Sequence, residues 1–487
     1  MTTASSPITA SAAKLHWPVI LFVLLTVVVL GGALLVPTYT NYDSTYSLIW
    51  GREILSGQLP GFAVYRAPTE HPLGLLFGVF FALFGRAGDR MMVFATLCSF
   101  LVLVAGFYQL GRRAFTPLVG LAAAVIIVTR FNFPLLAARA YIDIPYIALV
   151  VWAAALEVSR SRRGTSVLAI LAFAGLLRPE AWILSGLYWL WLFPALSWRQ
   201  RIGNAALVLV APLVWVGLDY SVTGDPLFSQ SHTSDLAEEL GRQQGAGQVP
   251  SALVGFLSEL LSAPLAFTGL LGIALAGWLV PTRIRVPLAL FIVGLATFLL
   301  LGVGGFSVVK RYLLAPSMML MVFAGFTLAG FSVLQPGRLR MLWVGVSSLG
   351  ILLAIVITLR TVDVGRVFSV VSFRGDSERA LAALLDQPGV RRVAECGSVL
   401  TSNHRLVPDV RWIMDLPADR VVARSDVAAA SKVSSGIAVL AANATVFLRD
   451  GLNPDGTSAE EALQNIPPTG YRPIAANDLY AVYGRCR

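Results

Sequence analysis

The chain has 487 residues, 56% hydrophobic and 13% charged, with a mean hydropathy of +0.73. A water-soluble fold cannot hide that much apolar surface, so a soluble enzyme is excluded and a polytopic membrane protein remains. The net charge of +10 comes mostly from arginines in short loops, which anchors cytoplasmic loops; no basic stretch is interleaved with aromatics, so no nucleic-acid partner is expected.

The first apolar run, 17–36, follows Lys14 and lacks a small-residue cleavage site after it. It reads as an uncleaved signal anchor, with a processed signal peptide as the alternative. Asp43 lies just beyond it, close to the bilayer surface. A carboxylate there can act as general base on an acceptor hydroxyl or hold a metal beside a phosphate. It can equally cap a helix that starts at Ser44. The long segment 37–88 then holds an amphipathic stretch, 46–55, expected to lie on the membrane and to end at Ser56-Gly57. A polar, proline-bounded run from Tyr65 to Pro72 puts Arg66, Glu70 and His71 within reach of one cavity. Residues 73–84 are apolar but too short to cross, which suggests a re-entrant or interfacial helix.

Further apolar runs fall at 91–110, 117–129, 144–157, 165–177, 181–196, 202–220, 263–280, 286–304, 312–333 and 341–360, giving eleven spans with the first. Arginine clusters at every second junction (Arg112-Arg113, Arg160 to Arg163, Arg199 with Arg201, Arg283 with Arg285, Arg338 with Arg340) place those loops in the cytoplasm. The N-terminus is then cytoplasmic, and 37–88, 221–262 and the tail from about 361 lie outside. A crossing at 73–84 would invert this parity.

The same outer face collects more charge. Asp143, in Arg139-Ala140-Tyr141-Ile142-Asp143, opens the fourth span; it can cap that helix, or share a cation with Asp43 while Arg139 meets a phosphate. Arg178-Pro179-Glu180 breaks a helix and offers a fresh helix N-terminus, or forms a local ion pair. Lys310-Arg311-Tyr312 opens the tenth span against the positive-inside trend, which suits a lipid phosphate better than ordinary snorkelling. Asp219, Asp225 and Glu259 are weaker candidates around 221–262. That segment is rich in Gly and Gln at 241–247 and has the character of a substrate lid.

The tail 361–487 changes composition and separates from the membrane part, 1–360. A helix at 377–385 and β-rich runs at 392–394, 410–414, 436–440, 445–448 and 479–483 predict a small α/β domain. It has no nucleotide-binding glycine loop and no nucleophile elbow. Cys98 reads as a packed apolar residue, while Cys396 and Cys486 can pair if the tail is extracytoplasmic. The four histidines are scattered, so no zinc site is expected.

Tyr42-Asp43 with Tyr46, the Gly51-Arg52-Glu53-Ile54-Leu55-Ser56-Gly57 run, Glu70-His71-Pro72-Leu73, Phe84-Gly85, Asp143, and Arg311-Tyr312-Leu313-Leu314 with Pro316 form an ordered series. It resembles the GT-C superfamily of integral membrane glycosyltransferases, in the branch with protein O-mannosyltransferases and lipid A aminoarabinose transferases. The resemblance implies transfer of a sugar from a polyprenyl-phosphate donor to a glycan, lipid or protein acceptor on the outer face. It implies Asp43 as general base or metal ligand, Asp143 as support for a metal (Mg or Mn, if one is used) or the acceptor, and Lys310 and Arg311 as donor-phosphate ligands. Arg139 joins them; Tyr42, Glu70, Arg178, Glu180 and Tyr312 are expected to contact substrate. The family has a lysine near Glu70-His71-Pro72 and this chain has none, so Arg66 or His71 must replace it. Arginine- and alanine-rich composition hints at a bacterial plasma membrane and an arabinose or mannose donor used in building the cell envelope. A transporter or flippase, or a non-catalytic sugar-lipid binder, is the competing expectation.

Overall fold

The computed structural model describes residues 17–37, 39–241, 245–304, 308–361, 364–450 and 459–486. Lys14 and part of the 241–247 segment therefore lie outside the described residues. Sixteen helices precede the tail: α1 (Trp17–Leu35), α2 (Tyr42–Leu55), α3 (Pro72–Ala82), α4 (Gly88–Ala114), α5 (Pro117–Thr129), α6 (Asn132–Ala138), α7 (Asp143–Ser159), α8 (Thr165–Leu177), α9 (Glu180–Leu192), α10 (Trp198–Thr223), α11 (Phe228–Glu239), α12 (Val249–Leu261), α13 (Ala263–Leu279), α14 (Arg285–Val303), α15 (Leu314–Ala329) and α16 (Arg338–Thr361).

Among the described residues, six stretches are long and apolar enough to cross a bilayer: α1, α4 with its preceding turn, α10, α14, α15 with its flanking turns, and α16. Two further pairs pass together as bent units, α5 with α6 at 63° and α12 with α13 at 97°. Every expected apolar run is helical, and several of the helices are short. α8 and α9 have 13 residues each, about 20 Å at 1.5 Å per residue against a hydrocarbon core of about 30 Å. Such short helices are tolerated because protein surrounds their ends, where the charged residues sit. α1 and α16 bury almost nothing against the rest, as lipid-facing helices do.

α3, at 11 residues, is too short to span. α2 departs from expectation. Rather than presenting one polar and one apolar face, it is enclosed by protein, with every residue from Ser44 to Gly51 buried. Tyr46 and Trp50 pack with Phe62, Ala67 and Leu75, and α3 crosses α2 at backbone contact. A Cβ on Gly78 would come within 1.9 Å of the Ser47 carbonyl oxygen, so only glycine permits the crossing.

The tail follows through α17 (Val364–Leu385), α18 (Pro388–Ala394), α19 (Val407–Met414), α20 (Val427–Ala430), α21 (Ala444–Asp450) and α22 (Ala459–Gln464). Its strands are β1 (Ser398–Thr401), β2 (Val421–Ala423), β3 (Gly436–Ala441), β4 (Arg472–Ala476) and β5 (Tyr480–Arg485), in the order β2-β1-β3-β5-β4. β2, β1 and β3 run parallel, whereas β5 and β4 are antiparallel. The expected strands at 392–394, 410–414 and 445–448 are helices instead. In α19, Val407, Val410, Ile413 and Met414 face the tail's core at helical spacing. Pro388 and Pro408 start α18 and α19. Cys396 and Cys486 form a disulfide with Cα atoms 5.4 Å apart, tying the end of α18 to the last strand.

The tail docks on the first loop through ions. Arg52 donates to the Arg411 carbonyl at 2.8 Å, and the buried Arg411 pairs with Glu53. Arg86 grips Asp386 at 2.6 and 2.8 Å and donates to the Ile413 carbonyl at 2.7 Å. The tail is thereby fixed over the helix ends that carry the charged residues.

Candidate active site

A cavity of about 1380 Å³ lies beneath the tail, among the ends of the helices. Its wall takes Tyr42, Asp43, Arg66 and His71 from the first loop, Arg139 and Tyr141 from the α6–α7 link, and Arg178 and Glu180 from the α8–α9 break. Arg311 and Tyr312 complete the membrane side, while Arg374, His404, Arg405 and Asp409 come from the tail.

The N-cap of α2 is Asn41, not Asp43. The Asn41 Oδ1 accepts from the backbone N–H of Asp43 at 3.0 Å and of Ser44 at 3.3 Å. Capping, the plain explanation for Asp43, is thus performed by its neighbour. Asn41 Nδ2 also donates to the Arg139 carbonyl at 2.8 Å, and Ser44 Oγ to the Ala140 carbonyl at 2.6 Å. These bonds hold the α6–α7 link against α2 and impose a left-handed backbone on Ala140, φ +56°. Arg139, on that link, lies over the rings of Tyr39 and Tyr141 at 5.6 and 5.2 Å, and Arg374 of the tail reaches the same Tyr39 at 5.1 Å.

Asp143 does not cap α7 through its side chain. It is buried, lies outside the cavity wall, and holds Arg178 Nη2 at 2.6 Å. The ion pair expected between Arg178 and Glu180 is therefore made with Asp143. No group of three or more His, Cys, Asp or Glu among the described residues is arranged to hold a metal. With Asp143 committed to Arg178, the donor set expected of Asp43 and Asp143 does not fit a shared cation.

Arg66 adopts a left-handed backbone, φ +53°. Its carbonyl accepts from the Tyr42 hydroxyl at 2.8 Å, Nε pairs with Glu239 of α11 at 2.8 Å, and Nη1 lies 3.3 Å from His404 Nδ1 of the tail. Three separate elements thus converge on one residue, two of them on its guanidinium. Burial, together with Arg66 and Arg405, pushes His404 down to about 3, so its ring is neutral. His71 is held well below its ordinary value by burial and by Arg178 and Arg311.

Glu70 is buried off the cavity wall, so the expected substrate contact is not made from it directly. Its carboxyl accepts from Ser229 Oγ, which also lies 2.7 Å from Asp219 Oδ1. Two carboxylates facing one hydroxyl favour a protonated Glu70. Burial and the hydrogen bond to Asp219 push Glu70 up to about 8. Thr69 with Thr233 at 2.5 Å and His232 on the Ala67 carbonyl at 2.9 Å complete the seam between α11 and residues 66–70.

Of the remaining candidates, Lys310 pairs with Glu259, half-exposed and outside the wall. Asp225 caps a turn by accepting from Leu227 N–H at 2.9 Å. Asn41, Ser229, Trp182, Trp215, Arg374, His404, Arg405 and Asp409 were not singled out from the sequence. The N-cap preference of Asn41 was readable; the tail residues carry no signal, because nothing in sequence says which loop folds back over the membrane part.

No family model matches the sequence, and no curated protein matches it. Solved structures do match in shape. ArnT from Cupriavidus metallidurans bound to undecaprenyl phosphate superposes with a TM-score of 0.59 at 15% identity, covering 97% of this chain and 98% of that one. Its apo form gives 0.56 at 14% identity, covering 96% and 97%. The apo oligosaccharyltransferase of Archaeoglobus fulgidus gives 0.51 at 12% identity, covering 89% of this chain and 70% of that chain. The chain shares its overall fold with ArnT and, over most of its length, with the oligosaccharyltransferase. At these identities the likeness concerns the fold alone, and the chemistry rests on the cavity residues.

Proposed function

We propose that this chain is a membrane glycosyltransferase that moves a sugar from a polyprenyl-phosphate carrier to a hydroxyl of a glycan, lipid or protein acceptor on the extracytoplasmic face. The observation that carries the reading is Asp43: a carboxylate relieved of capping, on the wall of one cavity with Arg66, Arg139 and Arg311. The likeness in fold to a protein solved with undecaprenyl phosphate supports a lipid-linked donor.

In this reading Asp43 takes the proton of the acceptor hydroxyl as its oxygen forms the bond to the sugar's anomeric carbon. The bond from that carbon to the phosphate oxygen breaks, and the electron pair leaves with polyprenyl phosphate. A positioned general base contributes about 10²- to 10⁴-fold. Arg311, Arg139 and Arg66 stabilise charge developing on the phosphate; one preorganised donor of this kind contributes about 10²- to 10³-fold. Arg66 stands in for the lysine missing from the Glu70-His71-Pro72 stretch. Asp143 acts through Arg178 rather than on substrate.

In this reading the arginine clusters at alternate junctions set a cytoplasmic N-terminus in a bacterial plasma membrane, and the disulfide supports an oxidising compartment for the tail 361–487. Arabinose and mannose carriers are the first donors to test. Purified protein is given radiolabelled undecaprenyl- or decaprenyl-phosphate sugars with a cell-envelope extract as acceptor. Transfer of label from at least one carrier is expected; label that stays on every carrier sinks the enzyme reading.

A further inference from the structure

Three buried polar atoms here have no protein partner: Arg178 Nε and Glu180 Oε2 at the α8–α9 break, and His71 Nδ1 of the first loop. All three residues line the cavity, and Arg178 and His71 are themselves 4% and 8% exposed. Unsatisfied groups of this kind cost about 1–3 kcal/mol each unless something completes them.

Beside them stand two cavity-lining tryptophans fixed by one carbonyl. Residue 179 is proline and has no N–H to return to the Gly175 carbonyl, so that helix-end acceptor is orphaned. The indole N–H groups of Trp182 and Trp215 both donate to it at 3.0 Å. The two rings stand edge to face, 5.9 Å apart at 81°, and His71 meets Trp215 at 5.4 Å and 79°. Gly175 makes room for this: a Cβ there would lie 2.8 Å from the Ala211 methyl and 2.9 Å from Trp182 Cδ1. With both indole N–H groups already used, the rings offer the cavity apolar surface.

The combination selects a ligand class. An isoprenoid chain would leave the guanidinium N–H, the carboxylate and the imidazole unsatisfied. A phosphate would face the Glu180 carboxylate. A hydroxylated ring meets every demand: its hydroxyls donate to Glu180 and accept from Arg178, and its C–H face covers an indole. We propose that the pocket formed by Trp182, Trp215, His71, Arg178 and Glu180 is the subsite for the sugar ring of the carrier-linked donor. This deepens the glycosyl-transfer reading and rests on it.

The test compares carriers with and without a sugar. Full-length protein in nanodiscs is titrated with bare undecaprenyl phosphate and with undecaprenyl phosphates bearing mannose, glucose, galactose or arabinose. Wild type is expected to bind at least one glycosylated carrier more tightly than the bare one. Glu180→Gln, which keeps the shape, and Trp182→Phe, which keeps the ring, are each expected to erase that preference. The loss is on the order of tenfold for the glycosylated carrier, with bare-carrier affinity unchanged. Thermal unfolding of both variants establishes that they are folded, and either one suffices for the comparison. If the variants weaken the bare carrier equally, the pocket holds phosphate or lipid and the proposal falls. If they leave the glycosylated carrier's advantage intact, water fills the pocket and the proposal also falls. If wild type binds no carrier at all, the glycosyl-transfer reading fails first and the subsite with it.

Discussion

Replacing Glu70 by glutamine should make the seam between α11 and the first loop indifferent to pH. In the folded protein Glu70 is pushed up to about 8 by burial and Asp219, against an ordinary value of 4.5. When α11 swings away and water reaches Glu70, it regains the ordinary value. A group whose closed-state value is raised favours closure below the open-state value and loses that contribution as pH rises through the closed-state value. The window is therefore pH 4.5 to about 8, and across it closure weakens by up to about 5 kcal/mol. The other groups in the seam are Asp219, His232 and the Arg66–Glu239 pair. Hydrogen exchange of the α11 amides, corrected for intrinsic base catalysis, reads the opening directly. Wild type should show protection falling from pH 5.5 to 8.5, while Glu70→Gln, whose amide donates a hydrogen bond at every pH, should stay flat. Protection of wild-type α11 that does not change with pH, or a Gln variant that keeps the wild-type slope, would refute the shared-proton seam.

Two other substitutions separate roles that the sequence left open. Asp143→Ala strands the buried Arg178 charge, so its loss of stability in a thermal or denaturant assay should reach about 3–5 kcal/mol. Asp143→Asn, which still accepts from Arg178, should cost less and retain measurable transfer; complete inactivity of a folded Asn variant would instead assign Asp143 to the chemistry. Reducing the Cys396–Cys486 bridge, or replacing both residues by serine, should cost the tail about 2–4 kcal/mol, read as a lower unfolding temperature of the tail with the membrane helices intact.

The apolar runs were legible because twenty or so hydrophobic residues leave few options, and the charged residues between them were legible as a set. What the sequence hid is partnership. Asp43 and Asp143 look alike, each acidic at the start of a helix. Asn41 takes over the cap beside Asp43, while Arg178, from another helix break, claims Asp143. Those assignments depend on contacts between segments far apart in the chain. The tail misled for a local reason: in 407–414 the apolar spacing fits a helix as well as a strand over so few residues, and Pro408 tips the choice. α2 reads as a helix with one exposed face because its sequence is amphipathic; α3 on one side and the tail, docked by Arg52, Glu53 and Arg411, enclose it.

The most direct measurement is single-turnover transfer from a radiolabelled polyprenyl-phosphate sugar by wild type and by Asp43→Asn, with carrier binding measured alongside. A general base at Asp43 predicts that the variant binds the carrier as wild type does and transfers about 10²- to 10⁴-fold more slowly. An Asp43→Asn protein that transfers at the wild-type rate would contradict the central assignment.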